Sequence, residues 1–417
     1  MSGRLQAPRG TFDVLPEQAS ARLTVEHAAR EVLESAGYGR IETPCFEATE
    51  LFARGVGQST DIVQKEMYSF DDGGGRSLTL RPEGTAPVCR AYVEHGMHKL
   101  AAPVRLYYIS SFFRHERAQA GRYRQFWQVG AETLGSDDPA VDAESVVLLW
   151  TLLDVVGCRG LRLHISSLGS SATRAAYREE LKAHLHAHES ALSGDVRSRI
   201  EINPLRAFDS DHPGTREVMD SAPRLLDRLD REDRAHFAEV LALLEEADIS
   251  HEVDATLVRG LDYYTRTVFE FSSEALGAQS GVGGGGRYDG LVEMLGGPAT
   301  PGVGFAAGIE RMILAAGEPE RSVIPVELFV ALDEGARRRD AFAAVVDARR
   351  AGLSAQMELA GRSLKGQLKH ADRIGARLVA IVGPDGAALR DREAAEQEQV
   401  THEALVPSAL RRLRRPL

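Results

Sequence analysis

The sequence predicts an α+β protein: an antiparallel or mixed sheet with a helical insertion, followed by a smaller α/β domain. Three observations lead there. The chain has 417 residues, 43% of them hydrophobic and 27% charged, which suits a globular protein with two or three cores rather than one. Between residues 39 and 168 strand signals follow one another closely with helices between, unlike the regular alternation of a doubly wound βαβ fold. Beyond 325 that regular alternation does set in.

Taken in order, residues 17–36 carry apolar side chains at helical spacing and stop at Gly37, an amphipathic helix with a glycine end. YGRIETPCFE (38–47) reads as a short strand interrupted by Pro44. Residues 76–80 (RSLTL) and 104–112 (VRLYYISSF) have strand character, and the segment after Pro82 and Glu83 turns helical. A strand at 124–134 (RQFWQVGAETL), a helix at 140–156 and a strand at 161–168 (LRLHISSL) follow. Residues 171–250 are charged, poor in glycine and helix-rich, as in DRLDREDRAHFAEVLALLEEA, and read as an insertion into a first domain of 1–320. Strand signals and glycine return at 252–312. AAGEPERSVIP (315–325) marks a boundary, with two prolines and clustered charge. The domain 325–417 then alternates VELFVAL, a helix at 335–352, LSAQMEL, a helix at 362–374 and ARLVAIVG.

The formal net charge of −11 argues against a protein that coats nucleic acid by bulk electrostatics, and leaves room for a local basic groove. Its cations are almost all arginine, with lysine only at 65, 99, 182, 365 and 369. No apolar run approaches the roughly 20 residues of a membrane span, and MSGRLQAPRG has no signal-peptide core. Cys45, Cys89 and Cys158 are too few and too far apart for a disulfide framework or a C-x-x-C metal site, so a reducing cytoplasm is the expected compartment.

Five clusters can carry chemistry. Arg114-His115-Glu116-Arg117 through Arg122 and Arg124 puts four arginines and one glutamate between two strands. That is a hairpin whose loop can grip a phosphate and accept from an amino group; the alternative is a salt-bridged surface hairpin. In Arg81-Pro82-Glu83-Gly84-Thr85 a carboxylate and a hydroxyl at a strand-to-helix turn can receive an ammonium, unless Thr85 simply caps the helix. Gln128 and Glu132 share one strand face with Arg124 and Phe126, a polar pocket or else a solvent-facing strand. Arg259-Gly260-Leu261-Asp262-Tyr263-Tyr264 offers donors and flat faces, or ordinary aromatic packing. The glycines of 281–290 and 302–308 let backbone approach a ligand closely. They match neither a Walker A loop nor a dinucleotide fingerprint. Arg311 follows near a helix start, where a structural ion pair is the other reading. No nucleophilic triad and no metal cage is recognisable, so catalysis would rest on positioning and electrostatics.

The segments RGTFDVLP (9–16), TLRPEGTAPVCRAYVE (79–94), FFRHERAQAGRYRQFWQVGAE (112–132), LVRGLDYYTRTVFEF (257–271), GGGGRYDGL (283–291) and GVGFAAGIERMIL (302–314) resemble the histidyl-tRNA synthetase family of class II aminoacyl-tRNA synthetases. RIETPCFEATELF resembles motif 1, the arginine hairpin motif 2 and GFAAGIERMIL motif 3. Residues 361–383 are similar to the family's C-terminal anticodon-binding domain. The resemblance implies a class II catalytic domain on an antiparallel sheet. Arg114 and Arg259 would hold the α-phosphate and carboxylate oxygens, and Glu116 would accept from adenine between Phe126 and Arg311. Glu83, Gly84, Thr85 and Gln128 would receive the histidine ammonium. Glu132 and Tyr264 would read the imidazole, with Tyr263 and Tyr288 beside them. Gln119 and Arg124 would meet the tRNA acceptor stem, and Arg362, Lys365, Lys369 and the RRLRRP tail the anticodon, the tail's other reading being a solvated helix face.

The same resemblance implies ATP with Mg²⁺ as the substrate complex, no prosthetic group, L-histidine and tRNA(His) as partners, and a homodimer away from membranes. Trp127 departs from the family, taking a place often filled by His or Thr. A synthetase-like regulatory subunit of ATP phosphoribosyltransferase shares the catalytic fold; it lacks the anticodon domain and the intact RGLDYY arginine, both of which this chain has.

Overall fold

The computed structural model describes residues 4–57, 60–116, 121–257, 260–277, 280–317 and 326–413. The chain forms two compact units, 1–320 and 321–417.

The first unit is built on an eight-stranded sheet. Across it lie Gly39–Arg40, Val104–Phe113, Gln125–Leu134, Gly302–Gly308, Gly281–Arg287, Thr265–Ser273, Leu161–Ser167 and Glu252–Val253. The five inner pairings are antiparallel, and only the two short edge strands pair in parallel. The segment 38–47 therefore divides: Gly39–Arg40 joins this sheet, while Phe46–Ala48 enters a small antiparallel sheet with Ser77–Leu80 and Tyr68–Asp71. Arg81 fastens the two together. Its buried guanidinium donates to the Ser111 and Thr43 carbonyls at 2.8 and 2.6 Å.

Period-two alternation decides which sheet face is apolar. Tyr107, Ile109, Val129, Ala131, Phe269, Phe271, Phe305 and Ala307 point to one side. Helices Pro16–Ser35, Pro139–Val156, Arg231–Glu246 and Ile309–Ala316 bury them with Leu33, Leu149, Leu152, Leu244 and Met312. The first helix has Pro16 in its opening turn, and the chain leaves it through Gly37 at φ +81°. Asp138 caps the second by accepting from the Ala140 N–H at 2.9 Å. Trp127 belongs to this layer too: its N–H donates to Glu310, and Arg22 stacks 3.3 Å above its ring.

Residues 171–250 form helices Ser171–Ala187, Gly194–Arg199, Pro213–Asp220 and Arg231–Glu246 with short 3₁₀ turns between them. Tyr177, Leu181, Leu185, Val218 and Leu225 pack with Tyr263, Tyr264 and Val268 into a second core on the other side of the sheet.

The second unit holds a five-stranded mixed sheet. Its order is Ala355–Met357, Leu328–Leu332, Leu378–Val382, Ala387–Asp391, Glu396–Val400. The first three strands run parallel, connected through helices Arg338–Arg350 and Leu364–Arg373 as the alternation predicts. The last two form an antiparallel hairpin that the sequence reading does not resolve.

Candidate active site

The sheet face opposite the helices carries a cleft of about 800 Å³. Small residues make the room. Gly304, Ala306 and Gly308 line it where the same strand buries Phe305 and Ala307 on the far side.

Glu132 lies just beneath its lining, 1% exposed. One carboxylate oxygen accepts from Thr85 Oγ1 at 2.8 Å and from Tyr108 Oη at 3.4 Å, the other from Tyr288 Oη at 2.6 Å. Burial pushes this carboxyl up to about 8 despite those donors, because removing a charge from water costs more than they return. The solvent-facing alternative for this strand is therefore excluded. Tyr263 stands with its ring 4.8 Å from Tyr264 and 5.8 Å from Tyr288, so three tyrosines wall the pocket around Glu132. Tyr263 and Tyr264 precede the strand Thr265–Ser273 rather than pack within it, and Tyr288 follows the strand Gly281–Arg287.

Glu83 corrects one expectation. Its carboxylate, not Thr85, satisfies the start of helix Thr85–Glu94, accepting from the Thr85 and Ala86 N–H groups at 2.7 and 3.1 Å. Thr85 instead turns its hydroxyl to Glu132. Burial raises Glu83 to about 7, against the lowering effect of those backbone donors and of Arg114. Gln128 lines the same cleft, and its Oε1 is buried without a hydrogen-bond partner among the described residues.

The other end of the cleft is cationic. Arg114 donates through Nε to the Pro82 carbonyl at 2.8 Å, lies 3.7 Å from Glu116 and stacks over Phe126 at 5.4 Å. Arg122 reaches Glu116 at 3.4 Å. Arg311 enters from helix Ile309–Ala316 and donates to the backbone carbonyls of Gly281 and, at 3.5 Å, Gly121; burial lowers its pKa. The hairpin of the arginine cluster is real, with Phe113 opposite Gln125 in the register. A cleft with three arginines and an aromatic face at one end, and buried acceptors at the other, suits a dipolar ligand joined to a nucleotide.

Glu83, Gly84, Thr85, Arg114, Glu116, Phe126, Gln128, Tyr263, Tyr264, Tyr288 and Arg311 thus line one cleft, and Glu132 lies behind that lining, bonded to Thr85, Tyr108 and Tyr288. Arg259 and Gln119 lie outside the described residues; Gly260 and Leu261, which follow Arg259, line the cleft. Arg124 is not in the cleft lining. Its backbone N–H donates to the Gly10 carbonyl at 2.8 Å and its side chain runs along residues 9–10. In the second unit Arg362 is paired with the buried Glu358 at 3.1 Å, and Arg412 with Glu396 and Glu398. Sequence reasoning missed Tyr108, whose ring sits where side chains on Gly84 and Gly130 would be. Gly130 faces Tyr108 directly in the hairpin, the one signal that could have found it. It also missed Asp61, Arg206, Asp209 and Glu270 along the cleft wall.

Residues 10–312 match the family model described as histidyl-tRNA synthetase, and residues 338–412 that of an anticodon-binding domain. The chain is 47% identical to the histidine–tRNA ligase of Desulforamulus reducens over 408 residues, covering 96% of this chain and 97% of that protein. The structure of apo S. aureus histidyl-tRNA synthetase superposes with a TM-score of 0.81 at 35% identity, covering 97% of this chain and 99% of that one. A Bacillus halodurans structure titled as an ATP phosphoribosyltransferase regulatory subunit/histidyl-tRNA synthetase shares the fold, with a TM-score of 0.65 at 24% identity, covering 89% of this chain and 97% of that one.

Proposed function

The chain belongs to the histidyl-tRNA synthetase family and is a histidine–tRNA ligase, and from that premise we propose how its cleft performs the two-step reaction. A histidine carboxylate oxygen attacks the α-phosphorus of ATP, the bond from that phosphorus to the bridging oxygen breaks, and pyrophosphate leaves. A hydroxyl of the terminal tRNA ribose then attacks the acyl carbon of histidyl-adenylate and AMP leaves. ATP enters as its Mg²⁺ complex, the cation being part of the substrate.

Arg114 and Arg259 hold the α-phosphate and carboxylate oxygens where negative charge builds. Neither needs a proton transfer to act, so their contribution is electrostatic and preorganised. Adenine lies between Phe126 and Arg311, its amino group donating to Glu116. The histidine ammonium takes up Gln128 Oε1 and the outer lone pairs of Glu83, with Gly84 and Thr85 at the same turn. The imidazole donates to Glu132 between Tyr263, Tyr264 and Tyr288. A smaller amino acid would leave those buried acceptors unpaired, which is the source of selectivity. The observation that carries this reading is Glu132: a carboxylate 1% exposed, held by Thr85, Tyr108 and Tyr288, three residues that line the same cleft as Arg114 and Arg311.

Gln119 and Arg124 are assigned to the acceptor stem and the 325–417 domain, with Lys365 and Lys369, to the anticodon. The protein acts as a homodimer in the cytoplasm. The regulatory-subunit alternative is disfavoured by the anticodon-domain match at 338–412 and the identity to histidine–tRNA ligases. Histidine-dependent ATP–pyrophosphate exchange tests the reading. Exchange in the native chain, abolished by Arg259→Ala with the fold intact, is expected; no exchange in folded native protein would favour the regulatory role.

A further inference from the structure

Arg266 is a non-glycine residue at φ +45°, immediately after the tyrosine pair. Its position is a bulge. Gly286 pairs with Val268 but the next residue, Arg287, pairs with Thr265, so Arg266 and Thr267 stand opposite no residue of that strand. A bulge bends its strand and re-aims the side chains beside it. Directly before it the chain leaves the sheet, with Tyr263 packed between the rings of Tyr264 and Tyr288.

A side chain with a Cβ resists the left-handed region, so something must hold Arg266 there. The backbone does part of this, bonding to Gly169 and Leu168 at 2.8 and 2.7 Å. The helical insertion does the rest. Arg266 Nε donates to Asp233 Oδ1 at 2.9 Å, and Asp233 is 1% exposed. The other oxygen of Asp233 accepts from the Ser170 N–H at 2.6 Å. One carboxylate thus joins the starts of helices Ser171–Ala187 and Arg231–Glu246 to the bulge. Arg174, on the first of these helices, donates to the Tyr264 carbonyl.

We propose that Asp233 and Arg266 are positioning residues for histidine recognition: the insertion, through the Asp233 carboxylate, holds the left-handed bulge that aims Tyr263 and Tyr264 at the imidazole pocket. This rests on the reading of that pocket given above. The insertion is then part of the amino-acid site and not an independent appendage, and whatever displaces it loosens histidine before it loosens ATP.

Histidine-dependent ATP–pyrophosphate exchange on the full chain separates the possibilities. Arg266→Ala keeps the Cβ and loses the anchor; it should raise the KM for histidine about tenfold with the KM for ATP unchanged, since left-handed backbone costs an alanine on the order of one decade. Arg266→Gly adopts the same φ without strain and should stay within about threefold. Asp233→Asn should act like Arg266→Ala alone and add nothing, within about twofold, on top of Arg266→Gly, since coupled residues are non-additive. Equal effects of Ala and Gly at 266, additive behaviour of Asp233→Asn, or a parallel rise in the ATP KM would overturn the proposal. If Arg266→Ala does not fold, Asp233→Asn in the two backgrounds makes the same comparison. Absence of exchange in the native chain would instead defeat the assigned function.

Discussion

Tyr288 Oη donates to Glu132 Oε2 at 2.6 Å across an intervening strand, and the bridge exists because that strand carries glycine beneath it. Gly304 pairs with Glu132, and a Cβ on Gly304 would collide with Glu132 Oε2. A Cβ on Gly302 would collide with the Tyr288 ring. The glycines are needed here for close approach and not for backbone freedom.

Gly304→Ala should therefore fold yet displace Glu132. Overpacking a tight site costs about 1–3 kcal/mol, so the histidine KM should rise at least about fivefold while the ATP KM stays within about threefold. Steady-state exchange with each substrate varied in turn checks the split; equal loss for both would place Glu132 outside the histidine pocket.

The two buried carboxyls give the unliganded protein a pH signature. Burial holds Glu132 at about 8 and Glu83 at about 7, both raised from 4.5. A raised acid keeps its proton in the folded state after the unfolded chain has lost it. Its contribution is full below pH 4.5 and is lost as pH climbs toward the folded value. The Tm of the unliganded protein should thus fall between about pH 5 and 8, and Glu132→Gln, with no proton to lose, should remove part of that slope. Thermal unfolding of both proteins over this window is the measurement. Parallel curves would mean that Glu132 is already ionised in the empty cleft.

Arg114→Lys tests the phosphate end. Lysine keeps the charge but loses the planar fork, the bond to the Pro82 carbonyl and the stack on Phe126. Loss of one preorganised donor to developing charge costs on the order of 10²-fold in kcat. Exchange kinetics should show that loss with near-native thermal stability. A fall of less than about threefold would reduce Arg114 to a structural tie.

The polar half of the site was legible because its spacing is simple. Gln128 and Glu132 share a face by strand period, and the arginine hairpin declares itself by charge. What stayed hidden depends on register and on long-range contact. Tyr108 is one of two adjacent tyrosines in an apolar strand, and only the pairing with Gly130 shows which of them faces the cleft. Sequence alone leaves Thr85 open between ammonium binding and helix capping, because only the fold shows Glu83 turning forward to accept from the Thr85 and Ala86 N–H groups. Asp233 lies 33 residues from Arg266 in sequence, within an ordinary charged helix start. The hairpin Ala387–Asp391 to Glu396–Val400 ends in EQEQV, an exposed edge strand without apolar alternation to mark it.

One buried network lies just behind the site and makes a stability prediction. Arg287, fully buried, places both Nε and Nη2 on Asp142, and Nη1 on the Ser136 carbonyl and Asp289 at 3.0 Å each. His236 of the insertion approaches the same Asp142 carboxylate at 3.4 Å. The next residue is Tyr288, so this guanidinium fixes the end of the strand from which Tyr288 reaches Glu132. Asp142→Leu takes away the main carboxylate of Arg287 and leaves it Asp289 and backbone carbonyls alone; breaking a fully buried pair costs about 3–5 kcal/mol, and the Asp289 contact puts this one toward the lower end. Adding Arg287→Met removes the stranded cation and should recover most of that loss, since an apolar pair of similar volume replaces a buried ion pair at little net cost. Denaturant unfolding of the two single variants and the double variant measures the coupling. If the ion pair only stabilises, the double variant also regains exchange activity; if it aims Tyr288 as well, stability returns while the histidine KM stays high. Additive destabilisation would mean that Arg287 is held by its carbonyl partners and that Asp142 contributes little.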